Sequence, residues 1–349
     1  MKKALLVFDD PGGGLVVSSL IEELKKTGLF EMEIYSGKLS EQFVNSYSYK
    51  KIESQITESK AEEIISEIAP DILITATGSG NAEQEFRNIA FRKNIKSIVI
   101  LDFWKDYKRR WKYATYEIGK MKDKICVMDN AVKEEMISDG FPDENIIVTG
   151  HPYLDKIFNK ENLYPGIINS EKSLRNRILF LSQPLNIIGV TDYEIHPLEI
   201  LLEAIKKLSE VRNEIYTITI KPHPSEIKLK ELEIISEKYK NDLTEIRFAD
   251  AGEDVKNLIY NSETVIGYNT IAMFEARALN KRTISLNVVK VNDSLTKAMQ
   301  TAGIEITDVK KEEIFILLNE TEAVEIIPNI YKGGRENCVQ VILNELNLN

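Results

Sequence analysis

The chain of 349 residues is 43% hydrophobic and 29% charged. That supplies two buried cores and excludes disorder over most of its length. A net charge of −10 and a pI near 5.2 exclude a broad basic face for nucleic acid. No apolar run reaches the roughly 18 residues of a membrane-crossing helix.

The first apolar run, 4–8, follows two lysines and stops at Asp9-Asp10. It is too short for the core of a signal peptide and reads as a buried strand. A helical pattern over 15–26 ends at Gly28, followed by a strand at 32–35. A helix at 61–68 and strands at 72–76, 97–101, 124–128 and 146–148 complete a first half. Residues 159–176 carry Asn, Lys, Pro and Gly without periodicity and read as a linker. The pattern then restarts. Strands are expected at 178–181, 216–220, 245–248, 264–266 and 283–286, and helices at 196–208, 229–239, 254–260 and 270–279. A last helix is expected at 335–346. Continuous rather than alternating apolar runs mark parallel strands covered on both faces.

The fold class expected is therefore α/β, with two Rossmann-like domains facing across a cleft. The domains are 1–158 and 177–330, and the tail 331–349 is expected to pack back on the first domain. Ligands of such sheets bind at the carboxyl ends of the strands. Cys126 and Cys338 stand too far apart in sequence for a metal knuckle or a redox pair and read as buried free thiols of a cytoplasmic protein.

Each of the three histidines, His151, His196 and His223, precedes a proline, which places it at an element edge. His223 lies in Lys221-Pro222-His223-Pro224, directly after a strand. Two prolines hold that imidazole where it can donate to a phosphate or protonate a leaving oxygen. At 264–276 a strand, a turn and a helix follow one another. Asn269 reads as the N-cap and Thr270 adds a hydroxyl, a setting for a phosphate. Glu275, in the second turn, can reach the ribose hydroxyls of a nucleotide held there; an ordinarily capped helix with one buried Glu is the other reading.

The first turn, Asp9-Asp10-Pro11-Gly12-Gly13-Gly14, combines two carboxylates with three glycines. A general base and close approach to a ligand both fit, as does plain helix capping. It is not Gly-x-Gly-x-x-Gly, since position 17 is Val17, and it is not a P-loop. Gly78 and Ser79 form a second small loop on the same sheet edge. In the stretch 101–113 both tryptophans interleave with cations, with Trp104, Tyr107, Lys108 and Trp111 at helical spacing on one face, and Trp104 and Arg109 are candidates for an anionic sugar or a membrane surface. A core stripe with a solvated basic face fits equally. His151, in Gly150-His151-Pro152, is a candidate hinge or cleft wall. No His-Glu-x-x-His or cysteine cluster supports a metal, no bound cofactor is expected, and there is no Gly-x-Ser-x-Gly elbow.

Gly-His-Pro at the junction, Lys-Pro-His-Pro and Asn-Thr-x-x-x-x-Glu-Ala together resemble the GT-B class of glycosyltransferases. The polysialyltransferase-like, sialyltransferase-like and CDP-glycerol glycerophosphotransferase families are the nearest likeness. The resemblance implies transfer of a sugar, or a sugar-phosphate-like group, from a UDP, CMP or CDP donor to a glycan or glycolipid acceptor. This would serve surface-polysaccharide synthesis without a metal, in the cytoplasm or at the inner membrane face. It implies an acceptor domain at 1–158 and a donor domain at 177–330. The donor would meet Lys221, His223, Asn269, Thr270 and Glu275, with His223 catalytic. Asp9 or Asp10 would be the base, although Pro11 stands between Asp10 and Gly12. Gly12, Gly13, Gly78, Ser79, Trp104, Arg109 and His151 would line the acceptor side. Two alternatives share the fold: a nucleotide-sugar 2-epimerase of the UDP-GlcNAc type, which needs no acceptor, and a binding protein without turnover.

Overall fold

The computed structural model describes residues 1–78, 80–159, 174–186, 189–190, 193–226, 228–250, 252–288, 292–320 and 329–348. The chain forms two compact units, Met1–Glu161 with Asn329–Asn349 and Asn162–Pro328. Most of the expected linker, and Ser79, lie outside the described residues.

The first unit alternates strand and helix. Its strands are β1 (Lys2–Phe8), β2 (Phe30–Gly37), β3 (Lys50–Ile52), β4 (Ile72–Thr75), β5 (Lys96–Ile100), β6 (Lys124–Val127) and β7 (Ile146–Val148). Between them run α1 (Pro11–Thr27), α2 (Glu58–Ile68), α3 (Ala82–Lys93), α4 (Tyr107–Arg110) and α5 (Asn130–Ser138), and α6 (Pro152–Phe158) follows β7. The seven strands are parallel, in the order β3-β2-β1-β4-β5-β6-β7. Ala4 to Phe8 and Ile72 to Ile74 are fully buried, as strands covered on both faces must be.

The second unit carries β8 (Arg177–Leu181), α7 (Pro197–Arg212), β9 (Tyr216–Lys221), α8 (Leu229–Glu237), β10 (Thr244–Phe248) and α9 (Val255–Tyr260). There follow β11 (Thr264–Gly267), α10 (Ile271–Ala278), β12 (Arg282–Asn287), α11 (Asp293–Thr301), β13 (Glu305–Asp308) and α12 (Lys311–Asn319). Its six parallel strands run β10-β9-β8-β11-β12-β13. The core gathers Phe180, Leu202, Ile218 and Ile266.

The last helix, α13 (Gly334–Glu345), belongs to the first unit and packs on α1 and α6. Gly150 has φ +89°, and a Cβ there would stand 3.2 Å from the Gly334 Cα. Backbone approach this close, in a left-handed conformation, suits only glycine. α13 also brings Cys338 beside Cys126 of β6, and this thiol neighbour, with burial, pushes the Cys126 thiol up. Sequence distance had suggested no such meeting. Cys338 Sγ donates to Thr149 Oγ1 at 3.3 Å, and both thiols are free and buried.

Three expectations shift. The glycines at 12–14 are the first turn of α1 and not a loop, because Pro11 opens the helix and Asp10 caps it, accepting from Gly13 N at 2.8 Å. The aromatic stretch forms only the short α4, with Trp104 outside it. The helix after β11 is capped by Thr270 rather than Asn269, without a side-chain cap bond. Among the described residues, no helix is long and apolar enough to cross a membrane.

Candidate functional site

In the first sheet the strand order reverses between β1 and β4, the place where open α/β sheets bind ligands. Carboxylates collect at that edge. Asp9 follows β1 and is 2% exposed; Glu83, in the first turn of α3, is 3% exposed. Glu83 Oε1 accepts from Asp9 N at 3.3 Å, and Oε2 accepts from Gly78 N. Burial, then the charge of Asp10, raises Asp9 to about 7, against a weaker opposing pull from the Ser54 hydroxyl. Burial and the charges of Asp9 and Asp10 also raise Glu83.

Asp102 follows β5 on the same edge. It pairs with Arg110 of α4, and Thr77 bridges the two, donating to Asp102 Oδ1 at 3.0 Å and accepting from Arg110 Nη1 at 2.6 Å. Asp102 Oδ2 faces Gly12, where a side chain would overlap it. The α1 N-terminal turn thus lies between Asp10 and Asp102. Beneath the edge Arg87 is buried, donating to Ala76 O at 2.7 Å, Thr75 Oγ1 at 3.1 Å and Gln84 Oε1 at 2.6 Å. Its guanidinium lies 5.3 Å over the Trp111 ring.

Several sequence candidates sit elsewhere than expected. Trp104 is fully buried. It stacks on His151 at 5.5 Å and donates to Asp129 Oδ2 at 2.7 Å, so its ring offers no face to a sugar. His151, 1% exposed, accepts from Leu154 N at 3.3 Å through Nδ1 and so caps α6. Its Nε2–H then donates to the Asp102 carbonyl at 3.2 Å. Burial lowers this imidazole to about 4, which keeps it neutral. It is a structural support for the 102 loop rather than a ligand contact. Arg109 points to solvent, and the cation turned toward the carboxylates is its neighbour Arg110.

In the second unit, His223 and the 269–270 turn follow β9 and β11, the strands on either side of β8. His223 is exposed, and its Nδ1 accepts from Ser225 N at 3.1 Å, leaving the proton on Nε2. Asn269 accepts from Ser285 Oγ at 3.2 Å, and Thr270 opens α10. Lys221 is turned aside: only 8% exposed, it donates to the Asp250 carbonyl at 2.7 Å and ties β9 to the end of β10. Glu275 is 8% exposed within α10.

Sequence reasoning missed Glu83, Arg87, Asp102 and Arg110. Two of them carried a signal: Asp102 as the first carboxylate after the apolar run 97–101, and Arg110 as one of the cations of the stretch 101–113.

No family model matches the chain, and no curated protein matches it. Solved structures do. MnaA of S. aureus, in a co-structure with UDP, aligns at TM-score 0.72 and 17% identity over 100% of this chain and 98% of that one. The UDP-GlcNAc 2-epimerase of Neisseria meningitidis, bound to UDP-GlcNAc, aligns at 0.70 and 15%, covering 99% of each chain. MurG of Acinetobacter baumannii aligns at 0.54 and 12%, again covering 99% of each. The protein therefore has the two-domain, GT-B-like α/β fold. The glycosyltransferase expectation is corrected: the neighbours that score above MurG include several UDP-GlcNAc 2-epimerases, and they favour the alternative reading. The finer likeness to sialyltransferase and CDP-glycerol families finds no support among them.

Proposed function

We propose that the chain is a nucleotide-sugar enzyme of the 2-epimerase class, acting on a UDP-sugar without an acceptor. One observation carries the reading: the buried carboxyls of the first sheet's switch point, with Asp9 held near neutral. Inverting a sugar carbon means taking a proton from one face and returning one to the other. A group that serves as base and then as acid works best with a proton affinity near the working pH. Asp9 has that affinity. Asp102, ordered by Arg110 and Thr77, is the second carboxyl on the same edge.

The nucleotide is assigned to the second unit. The His223 Nε2–H, with Asn269, Thr270 and the free amides at the start of α10, suits a diphosphate, and Glu275 is assigned to the ribose. The solved neighbours that carry UDP and UDP-GlcNAc support the choice of nucleotide.

The test is incubation of the purified protein with UDP-GlcNAc alone, followed by proton NMR of the sugar. Inversion at C2, greatly slowed in Asp9→Asn, supports the reading; an unchanged sugar at high enzyme concentration refutes it.

A further inference from the structure

We infer that Asp9 and Glu83 hold a single proton between them, and that Glu83 acts as a positioning residue that sets the acid–base character of Asp9. The use made of the pair rests on the epimerase reading; the pair itself is a property of the first unit.

The two side chains come from the end of β1 and the first turn of α3. Both of Glu83's oxygens are fixed by backbone donors, Asp9 N and Gly78 N. Asp9 Oδ1 is buried and finds no hydrogen-bond partner among the described residues. A methyl group on Gly78 would overlap that oxygen and stand 2.8 Å from Glu83 Oε2. The two oxygens therefore border one small space, kept open by the missing side chain. A side chain on Gly80 would intrude in the same way, 2.6 Å from Asp9 Oδ2.

The charged and titratable surroundings do not neutralise both groups. Asp10 adds a like charge from Asp9's own segment. Ser54, from the segment after β3, gives Asp9 one hydroxyl. Arg87 favours the Glu83 charge, but its hydrogen bonds go to Thr75, Ala76 and Gln84. Two carboxylates this deep and this close cannot both ionise, because each pays for desolvation and for the other's charge. The pair then rests with one proton and a net charge of −1. Taking the C2 proton as the C1–O bond to the diphosphate breaks brings the pair to two protons and neutrality, with the C–H electron pair forming a C1–C2 double bond. A proton delivered to the other face of C2 as the diphosphate rejoins C1, and one released from the pair to solvent, restore the resting state. No other species is consumed. The macroscopic steps belong to the pair rather than to either residue.

The experiment is a carboxyl carbon-13 NMR titration of the full chain, labelled at Asp and Glu, without substrate. In the wild type one of the two coupled steps falls near neutral pH. In Glu83→Gln the Asp9 step drops by at least one pH unit, and the acid limb of the pH–rate profile drops with it. In Asp9→Asn the Glu83 step drops in the same manner. An Asp9 step unmoved in Glu83→Gln overturns the inference. So does an unmoved Glu83 step in Asp9→Asn, which decides the matter if the first variant does not fold. Because the titration is read without substrate, a coupled pair in a protein inert toward UDP-GlcNAc upholds the pair and refutes the epimerase reading. An active protein with uncoupled steps does the reverse.

Discussion

Arg335 reaches Asp155 across 180 positions of sequence, its Nε 3.0 Å from Oδ2, in a place where Asp155 is 0% exposed and Arg335 5%. Asp155 also accepts from Asn159 Nδ2 at 2.9 Å and from Asn329 Nδ2 at 3.1 Å. Glu23 of α1 lies 3.4 Å from Arg335 Nη1. This network fastens the start of α13 to α6 and α1.

Removing one partner of a buried pair leaves the other charged and dry, at a cost of about 3–5 kcal/mol. Arg335→Ala should lower the stability of the first unit by that amount. Urea unfolding followed by tryptophan fluorescence checks it, since Trp104 and Trp111 both lie in that unit. A loss below about 1 kcal/mol would mean that the pair is not buried in solution.

Two buried groups give the first unit opposing pH dependences. Asp9, raised from 3.8 to about 7, binds its proton more tightly folded than unfolded, so it makes stability fall as pH rises through that window. His151, lowered from 6.5 to about 4, is protonated more readily unfolded, so it makes stability rise with pH between those values. In the wild type the two partly cancel. In Asp9→Asn the falling contribution shrinks to that of Glu83, still raised by burial, so between pH 4 and 6.5 stability should tilt further upward with pH than in the wild type. Denaturation midpoints at a series of pH values test this; an unchanged slope in Asp9→Asn would contradict it.

Much of the scaffold was legible because its central strands are continuous apolar runs, such as 4–8 and 72–76. The edge strands β3 and β13 were not, because edges are polar and partly exposed. The helix α3 was missed for a more telling reason. Its buried face includes Glu83, Gln84, Arg87 and Asn88, so apolar periodicity has little to register. The same residues supply much of the candidate site. His223 and the 269–270 turn could be found because prolines and capping residues punctuate strand ends. The orientation of Lys221 and the choice of Arg110 over Arg109 depend on tertiary contacts that spacing does not encode.

Asp9→Asn and Asp102→Asn should each lower kcat by about 10²–10⁴, with KM nearly unchanged, since neither is assigned to the nucleotide. Steady-state kinetics with UDP-GlcNAc decide it. A change confined to KM would place both carboxyls in binding rather than proton transfer.

UDP should raise the melting temperature of the chain. His223→Ala should weaken UDP binding about 10- to 100-fold, the worth of a hydrogen bond to a charged group. It should leave the unliganded stability unchanged within about 0.5 kcal/mol, because His223 is exposed. Calorimetric titration with UDP checks both. Equal affinity in the variant would remove His223 from the nucleotide site.

The central claim is proton transfer at the sugar's C2, and the most direct measurement is turnover of UDP-GlcNAc in D₂O. The account predicts a 2-epimer carrying solvent deuterium at C2, formed about 10²–10⁴ times more slowly by Asp9→Asn. A 2-epimer that retains its original hydrogen, or a sugar left unconverted by active, folded protein, would contradict it.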